Sequence, residues 1–326
     1  MTIAIVEVEN LHKHFKQKSS LVKAVNGVSF TLYEGETFGL VGESGCGKST
    51  TGEVLLQLTK QTSGIVKYKG RDVTSFSKKE LKNWRKDVQI VFQDPYSSLN
   101  PKKNVGWILN EPLRIHQIGN RATRFEKVLR TLEDVGLDAS YLERFPHELS
   151  GGQRQRVAIA SAIILDPVFI VIDEGVSALD VSVQAQILNL LKELQRKYKL
   201  TYLFISHDLN VVQYFCDRIA VMYLGEIVEI GKTEEISAAP KHPYAEALFS
   251  AIPMHDEDDR RIVLEGDLPD PSNPPSGCPF HTRCAYALEI CRSEKPIARS
   301  VGDGTHKVSC HLSVPVTCRN LSKTEQ

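Results

Sequence analysis

An α/β fold organised on a buried mixed sheet is predicted by three stretches of this sequence that share one design. The apolar run at residues 38–41 leads directly into Gly42-Glu43-Ser44-Gly45-Cys46-Gly47-Lys48-Ser49-Thr50, residues 169–172 end in Asp173-Glu174, and residues 201–206 end at His207. Strands buried on both faces read as unbroken apolar runs, and open α/β sheets bind ligands outside the carboxyl ends of their strands. One edge of the sheet should therefore collect a glycine-rich loop, two acids and an imidazole.

The glycine-rich stretch fits G-x-x-x-x-G-K-[ST] without substitution, a match expected by chance in about one chain of this length in a hundred. A strand before it and helical patterning over residues 50–58 supply the context the motif requires. Glycines at 42, 45 and 47 let backbone N–H groups wrap phosphates, and the helix behind adds its positive end. Ser44 and Thr50 complete the cradle, and Cys46 is a small loop residue. Lys48 would reach the β- and γ-phosphates of ATP, and the Ser49 hydroxyl would sit on Mg²⁺.

Residues 3–8 and 25–32 predict an antiparallel β layer ahead of the loop. Between them Phe15 is a candidate platform for the purine base, the other reading being a strand aromatic in a small core. Residues 63–70 and 88–92 read as further strands. Gln93 ends the second, where its amide oxygen could reach Mg²⁺ or the attacking water, and residues 94–98 form a loop after it. Helical patterning at Val128, Leu129, Leu132, Val135 and Leu137 marks a helical insertion over about residues 97–165.

That insertion contains Leu149-Ser150-Gly151-Gly152-Gln153 at the head of a helix, a second anion site made of hydroxyl, N–H groups and helix dipole. An N-cap accounts for Ser150 but not for the glycines and Gln153 behind it. Paired with the phosphate loop, these residues resemble the ATP-binding cassette (ABC) transport ATPases. The resemblance implies that Ser150, Gly151, Gly152 and Gln153 face ATP held by a second subunit, in a head-to-tail dimer. Ser177-Ala178-Leu179-Asp180 matches the family's dimer-contacting loop, and His207 its switch histidine. Asp173 suits the Mg²⁺ shell and Glu174 the attacking water. Gly175 stands where the family usually has proline, which predicts extra local freedom there. Residues 218–223 and 226–231, joined at Leu224-Gly225, form a closing hairpin, and the cassette spans residues 1–235.

Residues 236–326 form an extension. His242-Pro243-Tyr244 is followed by an acidic, polar stretch, four prolines between 269 and 275, and then Cys278, Cys284, Cys291 and Cys310, with Cys318 beyond. These features resemble the extension of oligopeptide and dipeptide importer ATPases. Spacings of five, six and eighteen residues lack the tight pairs zinc favours and suit a four-cysteine cluster, and the resemblance points to [4Fe-4S], with zinc the alternative.

Forty basic and forty acidic residues balance, so no global field holds nucleic acid. No apolar run reaches the ~20 residues of a membrane span and the N-terminus lacks a signal core, so the chain is expected in the cytosol, and the resemblance implies a peripheral place at the cytoplasmic face of the membrane. The resemblance implies two transmembrane permease subunits, a sibling ATPase as heterodimer partner and an extracellular peptide-binding protein. It leaves nickel, glutathione or another small solute as alternative cargo. A soluble, non-transport cassette is the remaining class. Only 55 residues separate Gln93 from Leu149, too few for the coiled coil of chromosome-organising relatives, and a second cassette is absent.

Overall fold

The computed structural model describes residues 3–17, 20–94, 98–175, 180–252, 262–302 and 304–313. The chain opens with β1 (Ala4–Gln17) and β2 (Ser20–Tyr33), an antiparallel pair joined by β4 (Ser63–Tyr68) and β5 (Arg71–Asp72) in the order β2-β1-β4-β5. β1 extends well past the residues whose alternation predicted it. Register shifts between Val8 and Leu11, and again by His12, break the period of two while the ladder continues.

The second sheet holds the predicted buried strands. Its order is β11-β12-β10-β9-β3-β8-β7-β6, from β3 (Thr37–Val41), β6 (Val88–Val91), β7 (Phe169–Asp173), β8 (Thr201–Ser206), β9 (Arg218–Tyr223), β10 (Glu226–Lys232), β11 (Arg299–Val301) and β12 (His306–Val308). The run from β6 through β7, β8 and β3 to β9 is parallel throughout. Phe38, Leu40, Phe169, Val171, Leu203 and Phe204 are completely buried, each stabilising the fold by about 2 kcal/mol relative to exposure. Helices cover both faces, which is why these strands carry no polar alternation.

Between the two sheets lies α1 (Lys48–Leu55), with Val54 and Leu55 in a core shared with Phe30 and Phe38, whose rings stack at 5.1 Å. α2 (Lys78–Asp87) follows, opened by a reciprocal cap between Ser77 and Glu80. The predicted helical insertion contains α3 (Val105–Ile115), α4 (Arg121–Asp134) and α5 (Gly151–Ile163). They pack Leu109, Leu113, Val128, Leu132, Val157 and Ile163 into a second core against the other face of the large sheet. α6 (Val181–Tyr198) and α7 (Leu209–Phe215) complete that layer. β9 and β10 form the predicted hairpin, with Leu224 and Gly225 both at positive φ, as a two-residue turn requires.

The C-terminal region, with α8 (Thr233–Ala238), α9 (Pro243–Ser250) and α10 (Ile290–Ser293), does not stand apart. β12 pairs antiparallel with β10, and β11 closes that edge. Among the described residues no helix is long and apolar enough to cross a membrane.

Candidate functional site

The parallel strands deliver their carboxyl ends to one edge in register. Val91 lies beside Ile172, Asp173 beside Ile205, and Val41 beside Ser206. The residues that follow, Gln93, Glu174, His207 and Gly42, are thereby neighbours in space although 165 positions separate the first and last of them to leave their strands, Gly42 and His207.

The phosphate loop folds as its sequence demands. Gly42 has φ 150° and Gly47 φ 103°, and a Cβ on either would lie 2.2 Å from the Met222 carbonyl oxygen or 2.0 Å from that of Ala24. No other residue fits at those two positions. Ser44, Gly45 and Ser49 are exposed, Thr50 is half-buried, and the Cys46 thiol is buried with Sγ 3.8 Å from Lys48 Nζ. Lys48, 5% exposed, donates to the carbonyls of Gly42 (2.8 Å) and Glu43 (2.9 Å), which holds its ammonium inside the loop.

Ser49 Oγ donates to Asp173 Oδ1 at 2.9 Å. Burial pushes the Asp173 carboxyl up, opposed by that hydrogen bond and reinforced by neighbouring Glu174. A partly desolvated carboxylate beside a hydroxyl is a hard-oxygen donor set that fits Mg²⁺. Glu174, at φ 47°, is anchored by its N–H on the Ile205 carbonyl (2.9 Å). Its carboxylate receives Gln93 Nε2 at 2.7 Å and lies 2.9 Å from His207 Nδ1. His207 is open to solvent while Glu174 is 15% exposed, so the imidazole forms the outer wall. Gly175 is also favoured by space. It is buried, and a Cβ there would meet Ile172 at 3.0 Å and the Gln155 amide at 3.2 Å, so a larger residue would crowd this turn.

Phe15 stands on β1 opposite Val22, two residues from the Ala24 carbonyl that closes on Gly47. Its ring is 37% exposed, with Lys13 Nζ 4.6 Å from the centroid. The small-core reading is thereby corrected, because Phe15 lies at the surface.

Ser150 caps α5. Its N–H donates to Gln153 Oε1 (2.9 Å), the Gln153 N–H donates to Ser150 Oγ (3.3 Å), and Gln153 Nε2 donates to the Tyr141 hydroxyl (2.9 Å). Gln153, which a simple N-cap leaves unexplained, is thus the second half of a capping box. Gly152 allows the start of α6 to approach, since a Cβ would lie 2.7 Å from Val183 Cγ1. Gly151 occupies the first helical position. Asp180 caps α6 through Val183 N–H (3.0 Å). Residues 176–179, 95–97 and Cys318 lie outside the described residues.

Cys278, Cys284, Cys291 and Cys310 come together closely enough to act on one another's charge, and burial pushes the Cys278 thiol up to about 11. None of the four is joined in a disulfide. Among the described residues no group of three or more His, Cys, Asp or Glu is placed to hold a metal ion.

Sequence reasoning passed over Glu43, a variable position of the loop motif, and Arg283, which belongs to no motif. Tyr244 was legible only as part of a segment resembling the importer extension. All three meet at the loop: Glu43 N–H donates to the Tyr244 hydroxyl at 2.9 Å, and Arg283 pairs with the Glu43 carboxylate at 2.7 Å.

Fold and site together define a nucleotide-hydrolysing cassette. A family model described as ABC transporter matches residues 25–177. The dimeric post-hydrolysis structure of the ATP-binding cassette MJ0796, bound to ADP and Pi, superposes with a TM-score of 0.63 at 31% identity, covering 70% of this chain and 98% of that one. The chain is an ATPase of the ABC class. A second model, for the C-terminal region of oligopeptide/dipeptide transporters, matches residues 228–291. The oligopeptide transport ATP-binding protein AppF of Bacillus subtilis is 49% identical over 320 residues, 94% of this chain and 97% of its own length. The putative oligopeptide transport ATP-binding protein YkfD of the same organism is 51% identical over 316 residues, 95% and 96% of the two chains. The chain belongs to the oligopeptide/dipeptide family of ABC transporter ATP-binding proteins.

Proposed function

We propose that this chain binds and hydrolyses ATP to energise import of dipeptides or oligopeptides across the cytoplasmic membrane. The observation that carries the chemistry is the convergence of Lys48, Ser49, Asp173, Glu174, Gln93 and His207 on one sheet edge. The cargo class rests on likeness over nearly the whole chain to oligopeptide transport ATP-binding proteins.

Lys48 and the loop N–H groups, with Gly42, Ser44, Gly45, Cys46, Gly47 and Thr50, hold the triphosphate, and Phe15 stacks on the base. Mg²⁺, when bound, neutralises charge on the phosphate oxygens, and Ser49, Asp173 and Gln93 are the residues to hold it. Glu174 orients and deprotonates the attacking water, positioned by Gln93 and His207, and His207 senses the γ-phosphate. Ser150, Gly151, Gly152 and Gln153 complete the site of a second ATPase subunit, a sibling chain, and Asp180 lies at that contact. Two permease subunits hold the pair at the cytoplasmic face, the loop after Gln93 passes the motion on, and an external binding protein delivers peptide.

A four-thiolate [4Fe-4S] centre on Cys278, Cys284, Cys291 and Cys310 is a second reading, supported by the nearness of Cys278 and Cys284 to each other and to Cys291 and Cys310 in a region with little core of its own. About four irons and sulfides per chain in anaerobically purified protein are expected, and zinc or no metal in undamaged protein would end that reading.

Transport is tested by uptake of labelled di- and oligopeptides in cells lacking the chain and complemented with wild type or Lys48→Ala. Peptide uptake should return only with wild type. Normal peptide uptake in the deletion, with loss of nickel or glutathione uptake, would reassign the cargo.

A further inference from the structure

Glu43, the first variable residue of the phosphate loop, is engaged at all three of its polar groups. Its N–H donates to the Tyr244 hydroxyl (2.9 Å), its carbonyl accepts from Lys48 Nζ (2.9 Å), and its carboxylate receives two prongs of Arg283, Nη1 to Oε2 at 2.7 Å and Nη2 to Oε1 at 3.1 Å. The Arg283 side chain is 7% exposed. Tyr244 is fully buried and packs its ring against Tyr223 and Phe280 at 4.7 and 5.4 Å. Two of these three holds come from the C-terminal region.

The region is itself firmly seated. His242 caps α9, one residue before Pro243 and two before Tyr244, and the N–H groups of Lys241 and His242 both donate to Glu229 of β10. Glu229 also bonds His306 of β12 at 2.7 Å. Arg283 is fixed by its N–H on the Phe280 carbonyl (3.0 Å), in the segment that carries Cys278 and Cys284.

A carboxylate inside a loop that must receive a polyphosphate would repel it, and bidentate pairing with a guanidinium removes that repulsion while fixing the side chain's direction. Holding the Glu43 N–H and carboxylate before the ligand arrives also lowers the ordering cost of binding. We propose that Arg283 and Tyr244 are positioning residues of the nucleotide site, through which the C-terminal region shapes the phosphate loop and neutralises its one acid. The inference rests on the reading of that loop as an ATP site. It makes the segments carrying Tyr244 and Arg283 determinants of nucleotide affinity, and loosening of the cysteine-bearing segment lowers affinity rather than the rate of the chemical step.

The test uses the full chain, labelled ATP with Mg²⁺ in equilibrium dialysis, steady-state ATP hydrolysis, and thermal melts that establish folding at the assay temperature. Arg283→Ala should weaken binding and raise KM by about tenfold while kcat stays within about twofold, the pattern of lost uniform binding. In a Glu43→Gln background the same substitution should change affinity by less than about twofold, because the charge it neutralises is gone. Tyr244→Phe should weaken binding by about threefold. Should Arg283→Ala not fold, Arg283→Lys is read in the same two backgrounds, with a smaller loss that Glu43→Gln again removes. Equal losses in both backgrounds, or no loss in the wild-type background, would overturn the proposal. A wild-type chain that binds no ATP would instead overturn the ATP-site reading.

Discussion

Glu174 is shared between Gln93 and His207, one carboxylate oxygen to each: Gln93 Nε2 lies 2.7 Å from Oε2, and His207 Nδ1 lies 2.9 Å from Oε1. The three residues leave three adjacent parallel strands, so the carboxylate is aimed by the sheet. Glu174→Gln keeps the side chain's size and removes its basicity. Turnover should fall by on the order of a hundredfold or more while ATP binding persists. Phosphate release and ATP binding measured on one preparation decide the matter, and unchanged turnover removes Glu174 from its proposed role.

Asp173 carries a cost of burial. Its folded-state pKa is raised, so the folded chain takes up a proton more readily than the unfolded one. The ionised carboxylate therefore opposes folding at neutral pH, and the opposition fades as pH falls through the raised value. Asp173→Asn should raise the thermal midpoint at neutral pH, by an amount that shrinks on acidification, and should cut Mg²⁺-dependent hydrolysis by on the order of a hundredfold. A lower midpoint in the variant would show that the Ser49 contact outweighs desolvation.

Ser150 has a structural duty as well as a proposed one, and the two separate by substitution. Ser150→Asp retains an acceptor for the Gln153 N–H, so the cap survives. It also puts negative charge where a partner's phosphates would sit. Stability and ATP binding by the isolated chain should be nearly unchanged, while hydrolysis by the assembled dimer falls at least about tenfold. Loss of binding in the isolated chain would contradict a site completed in trans.

Burial of His242 pushes its pKa from 6.5 down to about 3. Between those values the unfolded chain binds a proton that the folded chain excludes. Stability from this group is therefore complete above 6.5 and is lost as pH falls toward 3, with a slope of up to about 1.4 kcal/mol per pH unit. His242→Asn keeps a capping acceptor that does not ionise, so urea unfolding between about pH 5 and 7 should show a shallower dependence. Equal slopes would place the proton uptake elsewhere.

Much of the site was legible because its parts are local. A glycine loop between a strand and a helix, two acids at a strand end and a serine three residues before a glutamine each announce their chemistry within a few positions, and the structure places each on the element its pattern implied. The length of β1 was hidden because its bulges interrupt the alternation that reveals a strand. The packing of Gly175 was hidden because its neighbours, Gln155 and Val91, belong to other elements.

The sequence by itself determined the kind of chain this is: parallel strands buried on both faces, and the loop, acids and imidazole at their carboxyl ends. Only the tertiary structure decided who meets whom. Gln93 and Glu174 are 81 positions apart and Glu43 and Arg283 are 240 apart. Their pairings depend on strand order, on register, and on β12 returning the C-terminal region to the edge of the sheet. A local period records which face a residue takes, but not which distant residue faces it, because that partner is set by the packing of whole elements.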